Sequence, residues 1–172
     1  MFKLAVIVAL VVGAILAAGH FLMNRFNPIL LGTANRILVE KSKRSMSLFR
    51  DGRMLKAYSI ALGPNPQGHK QQESDGRTPE GIYWIDWRNP QSKYHLSLHI
   101  SYPNAEDVKS AAARGVSPGG DIMIHGLPNG TDSGGKVPLA RDWTAGCIAV
   151  TNAEIEEVWA AVPDGAEIEI LP

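Results

Sequence analysis

The sequence predicts a mostly β domain, a sandwich or barrel with short helices, preceded by an N-terminal hydrophobic helix. Three features carry that expectation. Short runs alternate apolar and polar residues, as Leu96, Leu98 and Ile100 do with Ser97, His99 and Ser101, which is the pattern of strands with one buried face. Only two segments downstream of the N-terminal run combine helical spacing with a capping residue, too few to alternate with strands in a doubly wound sheet. The chain itself opens on an almost unbroken apolar run.

That run covers residues 4–18 and resumes with Phe21, Leu22 and Met23, close to the ~20 apolar residues a helix needs to span a bilayer. Residues 1–24 are therefore expected to be a membrane anchor, with residues 4–23 in the bilayer, or a cleaved signal for which Ala17, Ala18 and Gly19 supply small residues. Both place the remainder in the cell envelope, anchored at the inner membrane or free in the periplasm. Residues 25–35, with Pro28, Gly32 and Asn35 as breakers, read as a linker, and residues 36–172 as the catalytic domain.

Within that domain, residues 36–40 and 45–50 alternate as strands, and Asp51-Gly52 is a two-residue hairpin signal that returns the chain over residues 53–61. Residues 63–76 are rich in Gly, Pro and Gln and read as a long loop of the kind that borders a substrate site. Residues 82–87 are aromatic and β-branched, a strand candidate. Residues 104–114 look helical, with a capping residue first, Glu106 and Asp107 in the first turn and Gly115 as terminator. Residues 121–124 form a strand that delivers His125. Thr151 and Glu154 have capping-box spacing ahead of Ile155, Val158, Trp159 and Val162 on one helical face, and Ile168 and Ile170 alternate in a closing strand.

Composition narrows the chemistry. The 17 basic and 17 acidic residues cancel, which removes the electrostatic reason to expect nucleic acid as a partner. Cys147 is the only cysteine, so an internal disulfide and a paired-cysteine zinc site are excluded. A thiol is a weak nucleophile until a base takes its proton. No histidine follows Cys147, which rules out the papain order, and of His20, His69, His95, His99 and His125 the last is best placed, at a strand end before Gly126. The bland alternative is an inert buried cysteine with a solvated histidine.

The segment Ile124-His125-Gly126, a variable loop, and then Thr144-Ala145-Gly146-Cys147-Ile148-Ala149-Val150-Thr151-Asn152 resembles the signature of the YkuD-type L,D-transpeptidases, and of their murein transpeptidase-like subgroup. His125 and Cys147 stand 22 positions apart, which suits that pattern. The resemblance implies a YkuD-like β fold, Cys147 as nucleophile, His125 as proton donor and acceptor, and the Gly126 carbonyl orienting the imidazole. It also implies that the backbone N–H groups of Gly146 and Cys147 form the oxyanion hole. Thr144 and Asn152 match the motif and are expected to hold the loop and cap the last helix.

The implied reaction is acyl transfer from a peptidoglycan tetrapeptide stem through a Cys147 thioester to an amine, of another stem or of an envelope protein, with no cofactor and no metal. With water as acceptor the same site is a carboxypeptidase or endopeptidase. Two departures stand out: Ala145 where many members have histidine, and Ala149 where many have an arginine for a substrate carboxylate, for which Arg77, Arg114 or Arg141 could substitute. Three other readings are weighed. A sortase needs an arginine after the cysteine, and residues 148–172 contain neither Arg nor Lys. A zinc hydrolase would use His95 and His99 with His125 or Cys147. A membrane-tethered wall-binding domain would have lost turnover.

Overall fold

The computed structural model describes residues 32–131 and 141–172. The expected anchor or signal, residues 1–24, and most of the linker lie outside those residues. Among the described residues no helix is long and apolar enough to cross a membrane. Ala34 and Asn35, assigned above to the linker, belong to the fold instead: Ala34 is fully buried and donates to the Ala161 carbonyl, and Asn35 donates to that of Phe49.

The strands are β1 (Arg36–Glu40), β2 (Ser45–Arg50), β3 (Arg53–Ser59), β4 (Gly81–Ser92), β5 (His95–Ile100), β6 (Met123–His125), β7 (Ile148–Ala149) and β8 (Glu167–Leu171). They form one sheet in the order β3-β2-β1-β8-β4-β5-β6-β7. Of the sandwich and the barrel, the chain takes the barrel-like form. Ala61, just beyond β3, pairs with Ala149 at the opposite edge through two hydrogen bonds of 2.9 Å, so the sheet curls until its edges meet. Curling removes exposed edges and encloses one core.

That core is built from the inward alternation predicted for the strands. Ile37 and Val39, Met46 and Leu48, Tyr83 and Ile85, Leu98 and Ile100, and Ile168 and Ile170 are all buried together. Each such side chain contributes roughly 1.5–3 kcal/mol relative to exposure. Asp51 and Gly52 both have positive φ, 50° and 80°, as a primed two-residue hairpin turn requires.

Helix α1 (Ala105–Ala113) begins at Asn104 and α2 (Asn152–Ala161) at Thr151, each with a reciprocal capping box. Such a box satisfies two orphan N–H groups at the helix start. Helix α2 buries Ile155, Val158 and Ala161 and packs against β5, closing the side of the core next to His125. Asn152 is thus the first residue of the helix and not its cap.

Strand β4 runs to Ser92, five residues beyond the predicted end, because its polar second half remains paired with β5 through irregularities at Ile85/Trp87 and Asn89/Ser92. A two-residue turn, Lys93 and Tyr94, then reverses the chain into β5.

Candidate active site

Strands β6 and β7 pair in parallel, Ile124 opposite Ile148 and His125 opposite Ala149. Side chains alternate along a strand, and Ile124 and Ile148 both face the core. His125 and the residue level with Met123 therefore project from the other side, and that residue is Cys147. Parallel pairing brings Cys147 and His125, 22 positions apart, onto one face of a two-strand unit.

His125 is 3% exposed. Its Nδ1 lies 2.7 Å from the Gly126 carbonyl oxygen, which can only accept, so Nδ1 carries the proton and Nε2 presents a lone pair. Burial pushes the imidazole below its ordinary value, against the opposing pull of the Gly126 carbonyl. Neutral His125 is the form a general base needs. Gly126 is itself confined: a Cβ there would sit 2.6 Å from Asn152 Oδ1 and 3.0 Å from the Tyr94 carbonyl. The Asn152 carbonyl oxygen also accepts from the Leu127 amide at 2.8 Å, so Asn152 fixes the chain just after His125.

The Cys147 thiol lies 3.5 Å from the Asp121 carbonyl. Burial pushes it above the ordinary cysteine value; the Met123 amide and the Lys70 ammonium favour the thiolate, while Asp121 opposes it. Burial thus holds both groups toward their neutral forms, a thiol and an imidazole and not a preformed ion pair.

The turn carrying Cys147 is braced from three directions. Thr144 Oγ1 donates to the Cys147 carbonyl at 2.8 Å and accepts from the Gly146 amide at 3.1 Å. Thr78 Oγ1 donates to the Gly146 carbonyl at 2.8 Å. Gly146 has φ 130°, and a Cβ there would lie 2.5 Å from the Arg77 carbonyl. Glycine is needed here because the protein's own chain approaches. The bond to Thr144 also engages the Gly146 N–H expected in the oxyanion hole. The Cys147 amide is left as the backbone donor of the turn.

The long loop over residues 63–76 does border the site. Lys70, buried, donates to Asp75 Oδ1 at 2.8 Å and to the Gln72 carbonyl at 3.0 Å. Asp75 also accepts from the amides of Gln71, Gln72 and Arg77, which with Lys70 hold it below the usual carboxylate range despite burial, the largest single influence, pushing the other way. Ala149 is fully buried between His125 and Ala61, leaving the arginine position of the motif filled by a methyl group. Of the three candidate substitutes, Arg114 bonds Ser110 and the Gln71 carbonyl, Arg141 is exposed, and Arg77 alone has its backbone against the turn that carries Cys147.

His95 and His99 are committed elsewhere, to Glu156 at 2.7 Å and Asp86 at 2.6 Å, so the pair weighed as zinc ligands is not assembled. Among the described residues no three His, Cys, Asp or Glu side chains are grouped to hold a metal.

The sequence did not reveal two aromatic residues at His125. The Tyr94 ring lies 4.5 Å from the imidazole, centroid to centroid, and the Trp143 ring 5.7 Å. Among the described residues, the Trp143 indole nitrogen is the one buried side-chain N or O without a hydrogen-bond partner. A stranded donor of that kind costs about 1–3 kcal/mol. The Asp-Trp dipeptide just before the Thr144 motif was the available signal.

Comparison with known proteins agrees with this geometry. A model of the YkuD L,D-transpeptidase catalytic domain matches residues 34–170. YafK of Escherichia coli (strain K12), to which L,D-transpeptidase activity is ascribed, is 30% identical over 140 residues, 77% of this chain and 49% of its own. A variant of the helical cell shape determining protein Pgp2 from Campylobacter jejuni superposes with a TM-score of 0.60 at 25% identity, covering 81% of this chain and 47% of that one. Bd1075 of Bdellovibrio bacteriovorus gives 0.58 at 29%, covering 81% and 48%. The chain spans about half the length of these relatives. Matched across nearly all of its described fold, the chain belongs to the YkuD family of L,D-transpeptidase catalytic domains.

Proposed function

We propose that the chain is a peptidoglycan L,D-transpeptidase in the cell envelope, using Cys147 as nucleophile and His125 as base. The parallel β6–β7 register carries this reading, because it sets the thiol and the unprotonated Nε2 on one face. Membership of the family supports a peptidoglycan substrate, as does the cell-shape role in the name of Pgp2.

The chemistry follows from the neutral pair. As the sulfur attacks the carbonyl preceding the terminal D-alanine of a tetrapeptide stem, the S–H proton passes to His125 Nε2. A C–S bond forms and the carbonyl oxygen takes the charge, which the Cys147 amide meets. Collapse breaks the C–N bond, and His125 returns its proton to the departing D-alanine amine, leaving a thioester. An acceptor amine then attacks, His125 takes its proton, and the C–S bond breaks to restore the thiol. Water in place of the amine gives a carboxypeptidase or endopeptidase by the same steps. The engaged Gly146 N–H and the upward push that burial gives the Cys147 thiol favour a wall-binding domain without turnover.

Intact-mass measurement of the full chain with a tetrapeptide stem separates these. An adduct on Cys147 with release of D-alanine, lost in Cys147→Ala and slowed on the order of a hundredfold or more in His125→Ala, is expected. Stem binding with no adduct would replace catalysis by the binding-only reading.

A further inference from the structure

His125 is buried, yet the ring that lies on it belongs to an exposed residue. Tyr94 is 38% exposed and lies directly on the imidazole, at 4.5 Å and 34° between planes. Trp143 meets the same ring edge-on at 5.7 Å and 63°, and the Tyr94 and Trp143 rings are 6.1 Å apart. The imidazole thus sits in an aromatic bracket, with one wall from the β4–β5 turn and the other from the segment leading to Cys147.

The turn is built to hold that wall in place. Ser92 Oγ accepts from the Tyr94 amide at 3.0 Å, and His95 has φ 67°, a left-handed conformation that completes the tight reversal. Asn129, beyond His125 in the chain, clasps the turn three times. Its Oδ1 accepts from the His95 amide at 2.8 Å, its Nδ2 donates to the Ser92 carbonyl at 3.0 Å, and its own amide donates to the Lys93 carbonyl at 2.9 Å. The Tyr94 carbonyl in turn accepts from the Gly126 amide at 3.1 Å. Tyr94 is therefore tied, through both backbone and ring, to the two residues that set the orientation of the base.

We propose that Tyr94 is a positioning residue for His125: its ring shields the imidazole from water and, with Trp143, fixes the plane in which Nε2 meets the Cys147 thiol. The role rests on the assignment of His125 as the base. Among the described residues, the groups placed against the imidazole are the Tyr94 phenol ring from the turn, the Trp143 indole and the Gly126 carbonyl. Burial is the leading influence on His125, so loss of the shielding ring moves its titration upward.

The deciding experiment is NMR titration of the His125 ring, assigned with His125→Gln, in the wild type, Tyr94→Ala, Tyr94→Phe and Asn129→Ala. Tyr94→Ala is expected to raise the midpoint toward the ordinary ~6.5. Tyr94→Phe, which keeps the ring, restores the wild-type titration, and Asn129→Ala, which loosens the turn and touches neither ring, moves it part of the way. Because Tyr94 is exposed, these variants keep the core. An unchanged midpoint in Tyr94→Ala overturns the proposal. Stem acylation followed in parallel is expected to slow roughly ten- to a hundredfold in Tyr94→Ala, through misplacement of the base. A wild type that forms no adduct defeats the transpeptidase reading alone, since the titration still decides the role of Tyr94.

Discussion

Replacing Thr144 by valine removes one oxygen from a buried turn and keeps its shape. Thr144 is 5% exposed, and its hydroxyl serves two backbone groups at once, the Cys147 carbonyl at 2.8 Å and the Gly146 amide at 3.1 Å. Valine leaves both unpaired. A stranded buried backbone group costs about 1–3 kcal/mol, and the Gly146 N–H is fully buried while the Cys147 carbonyl is partly so. With the buried N–H at the full range and the partly buried carbonyl at about 1 kcal/mol, the sum is about 2–4 kcal/mol, a large part of the stability of a domain this size. Urea unfolding reads it as a fall in midpoint of roughly 1–2 M, for a slope near 2 kcal/mol/M. Thr144→Ser keeps the hydroxyl and loses one methyl, about 0.8 kcal/mol. A valine variant within about 0.5 kcal/mol of the wild type would show that the turn holds itself without Thr144, and the bracing described above would be wrong.

Three further outcomes follow from the same structure. Lys41 is 1% exposed and donates to the Gly68 and Thr78 carbonyls and to Glu80, so Lys41→Met, which leaves Glu80 without its partner, is expected to cost about 3 kcal/mol in chemical unfolding. The depressed His125 titration means the unfolded chain binds the proton first as pH falls below ~6.5. The stability His125 contributes is whole above that pH and lost below it, down to the folded midpoint; the wild-type advantage over His125→Gln in urea should shrink as pH falls through ~6.5, and a constant difference would contradict the burial argument. With its thiol pushed upward, Cys147 should react slowly with iodoacetamide at neutral pH and faster as pH rises, a slope measurable by mass; a rate flat from about pH 6 to 9 would mean a preformed thiolate.

How much of this was legible depended on range along the chain. Strand alternation, the Asp51-Gly52 turn and both helix starts were readable because each is decided within a few residues, where side-chain periodicity and capping chemistry act. Strands β6 and β7 have only three and two residues, too short to show a period, yet their parallel register is what brings His125 and Cys147 to one face. The motif supplied the residue types but not their electrostatic state. That state comes from burial and from chain crossings that bring distant residues in: Tyr94, 31 positions before His125, lies on the imidazole, and Lys70, 77 positions before Cys147, favours the thiolate. The same crossings explain why the departures at Ala145 and Ala149 did not foretell their consequences. Ala149 sits fully buried where β7 meets both β6 and Ala61, so its small size serves the closure of the sheet. Any group that meets a substrate carboxylate must then come from another segment, and the loop over residues 63–76 with Arg77 just after it is the segment the fold lays against the catalytic turn.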